Sequence, residues 1–193
     1  NIRSGILKKL TNAKSNQLAQ SYGSTFAYAW VILALEANHK SDAAGRLTKS
    51  FLALQRKDGG FAIDKTADSA GSSTDATGLA LQAMSALRKG GVANTGSISK
   101  AINSAVSYLN KTKEQDHWMA WGDVDVNGTA YALMGLRAVG KNVSSGIKWL
   151  TSQVSSSDGG ITTPWSNGSG DRFATAQSLL ILKNLSYVDL IRN

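Results

Sequence analysis

Cysteine is absent from all 193 residues, and that absence removes more chemistry than most presences supply. Disulfides, zinc–thiolate sites, cysteine nucleophiles and internal thioesters all need a thiol. Long apolar runs are missing too. The longest, Phe26 to Leu35, stops at Glu36, far short of a membrane span. No run of five or more like charges occurs, although Lys+Arg number 21 against Asp+Glu 13, a net +8. The cations are spread thinly, and pairs such as Lys8-Lys9 and Arg88-Lys89 fall near expected helix ends, where they offset the helix dipole. Such a surface reads as solvated rather than as a phosphate-tracking groove, so nucleic acid is not the expected partner, whereas an anionic cell-wall polymer is compatible. No two aspartates are adjacent, so no aspartate-rich magnesium–diphosphate motif exists.

What is present is repetition. Four small-and-apolar segments begin about fifty residues apart, within the range of helical repeats. They are Phe26 to Leu33, Thr77 to Met84, Thr129 to Leu136 and Thr175 to Leu182. Each is apolar nearly all round, which marks a helix covered on most sides. Inner helices are therefore expected near 24–38, 74–88, 127–139 and 172–185. Ala27, Ala29, Gly78, Ala80, Ala130, Ala132, Ala174 and Ala176 would let them approach closely. Between them lie amphipathic stripes, Leu47 to Leu54, Ile98 to Leu109 and Ile147 to Val154, which read as outer helices with one wet face. Ile2 to Leu10 reads as the end of a further outer helix. Inner-to-outer links are short; outer-to-inner links are long and glycine-rich. They end at candidate N-caps Thr74 or Asp75, Asp125 or Asn127, and Asp171. The expected class is all-α, with residues 1–193 forming one repeat domain. The chain opens at Asn1 without a signal-peptide pattern and is expected to be a segment of a larger protein.

The segment Lys49-Ser-Phe-Leu-Ala-Leu-Gln55-Arg-Lys-Asp-Gly59-Gly60-Phe61 resembles the repeat of the prenyltransferase and squalene-cyclase superfamily. There an aromatic-Leu pair, a Gln and a Gly-aromatic turn recur between helices. A second copy runs through Trp149-Leu, Gln153 and Asp158-Gly159-Gly160-Ile161, with two extra residues between Gln and Asp. A degenerate third has Tyr108-Leu109, Thr112 in place of Gln, and Trp121-Gly122 at the turn. The resemblance implies an α/α toroid: inner helices in a ring, outer helices around it, and glycine turns at one mouth. Complete toroids have about six hairpins, and roughly three and a half to four are countable here, which implies an open arc or part of a ring completed elsewhere. In character it is closest to secreted, transcobalamin-like toroid-repeat proteins of bacteria. Gln55 and Gln153 are expected to be structural, bonding helix-end or turn backbone.

Class II terpene cyclases of that superfamily protonate an alkene through the central Asp of an Asp-x-Asp-Asp motif. The nearest match is Asp123-Val-Asp125-Val126, in which Val126 takes the final Asp position. Asp123 and Asp125 are the acid candidates if the chain is an enzyme; the alternative is that Asp125 caps an inner helix. No cofactor and no metal site is expected. Protein prenyltransferases use an Asp/Cys/His zinc site that this composition cannot build. His39 reads as a solvated helix-end residue. His117, Trp118, Trp121, Trp165 and Phe61 fall in equivalent loops, where they line a shared cavity or cover helix ends. The expected function is a noncatalytic binding module, secreted or at the surface of a Gram-positive bacterium. Its ligand (a small molecule, glycan or protein) would sit at the toroid mouth. The alternative is an isoprenoid-processing enzyme of the terpene-cyclase or prenyltransferase type.

Overall fold

A computed structural model describes residues 23–64, 71–93 and 95–191, together with Gly5, Lys8 and Thr11. The outer helix expected over Ile2 to Leu10 lies, apart from Gly5 and Lys8, outside the described residues. The rest is mostly helical, as expected. The helices are α1 (Thr25–Ala37), α2 (Ser41–Leu52), α3 (Thr74–Gly90), α4 (Thr95–Thr112), α5 (Val126–Ala138), α6 (Ser144–Ser152), α7 (Arg172–Leu182) and α8 (Tyr187–Ile191). A two-residue ladder, β1 (Met119–Ala120) with β2 (Asp123–Val124), interrupts them.

The apolar helices pack on one another in chain order, α1 on α3, α3 on α5 and α5 on α7, while α2, α4 and α6 pack against them. Every residue of α3 from Ala76 to Leu87 is buried, the outcome an all-round apolar helix requires. The closest approach joins α3 to α5. A Cβ on Gly78 would strike the Tyr131 carbonyl, and one on Gly135 the Gly78 carbonyl. Only hydrogen at both positions permits that backbone-to-backbone contact.

The four apolar helices α1, α3, α5 and α7 share one grammar. Each opens on a side-chain cap: Ser24, Ser73, Asp125 and Asp171 accept the N–H of Ala27, Ala76, Gly128 and Ala174. Ser73, not Thr74 or Asp75, is therefore the cap of α3, with Asp75 adding a second acceptor for Ala76 N–H at 2.8 Å. Each ends on a left-handed residue, His39, Gly91, Gly140 or Asn184, followed by a bond back to an earlier carbonyl. His39 is thus a helix stop.

A threonine latch ties each long loop to the helix after it. Thr77 Oγ1 accepts Phe61 N–H at 2.9 Å, Thr129 accepts Trp118 at 3.0 Å, and Thr175 accepts Ile161 at 2.8 Å. The carbonyls of Phe61, Trp118 and Ile161 in turn accept the N–H of Ser73, Asp125 and Asp171. This corrects the reading of the degenerate repeat. Trp118, not Trp121, stands where Phe61 and Ile161 stand.

Two further corrections concern the end of the chain. The last apolar helix, α7, stops at Leu182 rather than the expected 185, because Asn184 takes a left-handed φ of 53° and Leu185 N–H returns to Leu180 O. It is also not covered all round. α7 packs on α5 and α6 and leaves Phe173, Ala176 and Leu179 in solvent. The short α8, which periodicity did not signal, then packs on α1, α3 and α5. Tyr187 N–H donates to Gln82 Oε1 at 3.0 Å, its ring lies edge-on to Trp30, and Asp189 pairs with Arg137 at 3.6 Å.

Candidate functional site

The starts of α3, α5 and α7 converge on one cavity of about 700 Å³. Its walls follow from the shared cap grammar. The caps Ser73, Asp125 and Asp171 line it, and so do the second residues after them, Asp75, Asn127 and Phe173. Equivalent helix starts thus present equivalent positions to one space. Asn127 reaches across to Gln177 of α7 by a side-chain hydrogen bond. Tyr108 from α4 closes another side, its hydroxyl donating to Ser72 O at 2.9 Å.

Two tryptophans stand over the opening. Trp121 sits with Gly122 at the tip of the β1–β2 hairpin, with φ of 52° and 89° respectively. Two positive φ values at the centre of a two-residue loop match the right-handed twist of the strands, which is why Asn-Gly is the usual occupant. A bulky side chain in the left-handed region is strained, and here it gains nothing by burial, because Trp121 is 96% exposed. Trp165, 68% exposed, is carried by a loop that its own bonds hold rigid. Ser166 Oγ accepts Thr163 N–H at 2.9 Å, and Ser155 Oγ donates to Gly168 O at 2.7 Å. Asp158 accepts Gly160 N–H at 3.0 Å and Gly170 N–H at 2.9 Å. Those N–H groups hold its exposed carboxyl below the ordinary range.

Asp75, Asp125 and Asp171 line the cavity, and no Lys or Arg does among the described residues. Burial raises Asp75 above the usual carboxylate value, against the Ala76 N–H, and the neighbouring Asp125 charge raises it further. Burial raises Asp125 as well, opposed by the N–H of Gly128, which Oδ1 accepts at 2.7 Å. Tyr108 is pushed up to about 12 by burial and by the charges of Asp58 and Asp75.

Of the aromatic and histidine candidates, Trp121 and Trp165 line this space; Phe61, Trp118 and His117 do not. Phe61 and Trp118 are core residues, and the Trp118 indole donates to Leu109 O at 2.9 Å. The His117 ring stacks on Trp149 at 4.6 Å with 11° between planes. Asp125 lines the cavity as a cap, and Asp123 is exposed outside it. Gln55 Nε2 donates to Gly59 O at 2.9 Å and to Ala101 O at 2.8 Å, joining its turn to α4. The Gln153 side chain reaches only its own helix end, Trp149 O at 3.4 Å and Ser152 Oγ at 3.1 Å, while its carbonyl accepts Thr162 N–H from the turn at 2.8 Å. Gly59 and Gly159 turn the chain at φ of 94° and 75°, and Gly60 and Gly160 give N–H groups to Asp58 and Asp158. Sequence reasoning left Asp75, Tyr108 and Phe173 out of the site. Aligning the four helix starts on their caps would have put Asp75 and Phe173 beside Asn127. Among the described residues no group of three or more His, Asp or Glu is placed to hold a metal ion. Neither a protein-family model nor a curated protein matches the chain.

Proposed function

We propose that the chain is an arc of α/α-toroid repeats that binds a ligand, without turning it over, at the mouth where the inner helices begin. The chain-order packing of α1, α3, α5 and α7, with α2, α4 and α6 against them, supports the toroid reading. So does the recurrence of caps and left-handed stops at four helices and of threonine latches at three. The observation that carries the binding reading is Trp121. A fully exposed tryptophan in a strained backbone conformation, poised over a cavity of about 700 Å³, has no structural benefit to offset its strain. The proposed setting is secreted or at the cell surface, where a basic surface suits anionic wall polymers, and the candidate ligands are small molecules, glycans and partner proteins.

An isoprenoid-processing enzyme is the second reading, and the pairing of Asp75 with Asp125 favours it, since each raises its proton affinity by burial. Against it, Oδ1 of each carboxyl accepts a backbone N–H, an arrangement that stabilises the ionised form rather than a strong acid. The test is a fragment screen by saturation-transfer NMR on wild type and on Trp121→Ala and Trp165→Ala, with product analysis on squalene and prenyl diphosphates. Fragment binding lost in both variants, with no product, supports the binding module. Cyclised product abolished by Asp125→Asn but kept by Trp121→Ala overturns it.

A further inference from the structure

We infer that the mouth cavity selects a small organic cation, an ammonium group on an apolar body, over an anion or a neutral molecule of the same shape. The inference rests on the binding reading above and names its ligand class. The first ground is a reversal of charge. The chain carries a net +8, yet the described residues lining this cavity include three carboxylates and no Lys or Arg. An anion entering here meets Asp75, Asp125 and Asp171, with no counter-charge among the described residues of the wall.

Helix N-termini ordinarily draw anions. At this end, however, the N–H groups of Ala76, Gly128 and Ala174 are already bonded to the side chains of Asp75, Asp125 and Asp171. At each start, one N–H that would recognise a phosphate is therefore occupied by the protein's own carboxylate. Burial has already made Asp75 and Asp125 costly to ionise, and an ammonium group beside them relieves that cost.

The second ground is aromatic and independent of the carboxylates. Trp121, Trp165, Tyr108 and Phe173 all line the cavity. Indole faces attract alkylammonium groups through the ring quadrupole, and tryptophan does so best. Because both indoles are largely exposed, the free protein leaves those faces in water, and a ligand desolvates them. The cavity is also far larger than a bare ammonium ion, whose charge would leave most of it empty. The fitting ligand is a cation with an apolar skeleton.

The test compares three probes at fixed ionic strength, read from the Trp121 and Trp165 indole cross-peaks in a ¹⁵N–¹H spectrum. The probes are choline, its uncharged carbon isostere 3,3-dimethylbutan-1-ol, and inorganic diphosphate. We expect choline to bind about tenfold tighter than the isostere, and diphosphate to leave both peaks in place. Asp75→Asn and Asp125→Asn each weaken choline several-fold and leave the isostere unchanged; Asn keeps a cap acceptor at position 125, so the helix start survives. Equal affinity for choline and the isostere overturns the charge selection while the binding reading stands. Tighter binding of diphosphate overturns it as well. If no probe moves either indole peak up to the solubility limit of the isostere, the cation inference falls, and the fragment screen decides the binding reading separately.

Discussion

Trp118 and Trp121, separated only by Met119 and Ala120, stand at opposite extremes of exposure, 1% and 96%. The first is latched to Thr129 and bonded through its indole to Leu109; the second makes the tip of a hairpin. Their substitutions should therefore move stability in opposite directions. Trp121→Asn, with a residue suited to the left-handed turn, is expected to stabilise the fold by about 0.5–1 kcal/mol while abolishing ligand binding. Trp118→Ala is expected to cost about 3–5 kcal/mol. Urea titrations of the two variants decide it, and a Trp121→Asn protein less stable than wild type would contradict the strain argument.

Glycine position matters in the same two-sided way. Gly78→Ala forces a methyl into the Tyr131 backbone, which cannot rotate aside as a side chain can, so a loss of about 2–3 kcal/mol is expected despite alanine's better helix propensity. Gly96, in the first turn of α4, has open space where a Cβ would stand, so Gly96→Ala should gain some tenths of a kcal/mol, up to about 1. Thermal or urea unfolding of the pair tests the sign.

The two repeat glutamines should not be equivalent. Gln55→Ala removes two good bonds that join separate elements, Gly59 O and Ala101 O, and should cost about 1–2 kcal/mol. Gln153→Ala removes one long bond and one exposed bond within its own helix end and should cost no more than a few tenths of a kcal/mol. A Gln55→Ala loss of only a few tenths of a kcal/mol would show that the bridge to α4 contributes nothing.

Acid titration separates the carboxylates by sign. Burial pulls Asp189 upward. The hydroxyl and N–H of Ser186 and the charges of Arg137 and Lys89 outweigh that pull and hold it below the usual value. Its contribution is present above the ordinary carboxylate pKa and disappears as pH falls through the lowered one. The penalty of Asp189→Asn should therefore shrink on acidification. Asp75 and Asp125 are raised, so the wild type loses stability as pH rises from the ordinary value through the raised ones. Asp75→Asn should gain on wild type over that rise. Unfolding free energies against pH give both slopes.

The two kinds of helix were legible because all-round apolarity and an amphipathic stripe cover different shares of the helix circumference, and because Gly-Gly turns and capping residues punctuate them. α1, α3 and α5 fall within two residues of expectation. What escaped had no periodic signal. α8 is five residues long, and its place against α1, α3 and α5 depends on Gln82, Trp30 and Arg137, far away in sequence. The Trp118–Trp121 assignment failed because two tryptophans compete for one turn position, and only the Thr129 latch decides between them. Asp75 was seen as a capping candidate, but its convergence with Asp125 is a matter of how three helix starts meet.

The central claim, that the ligand sits at the inner-helix mouth, is tested most directly by ¹⁹F NMR of the protein labelled with 5-fluorotryptophan. Its five tryptophans, Trp30, Trp118, Trp121, Trp149 and Trp165, report on separate environments. Bound fragments should shift the Trp121 and Trp165 resonances and leave those of Trp118 and Trp149 in place. Fragments that bind while moving Trp118 or Trp149 alone, with Trp121 and Trp165 unchanged, would contradict it.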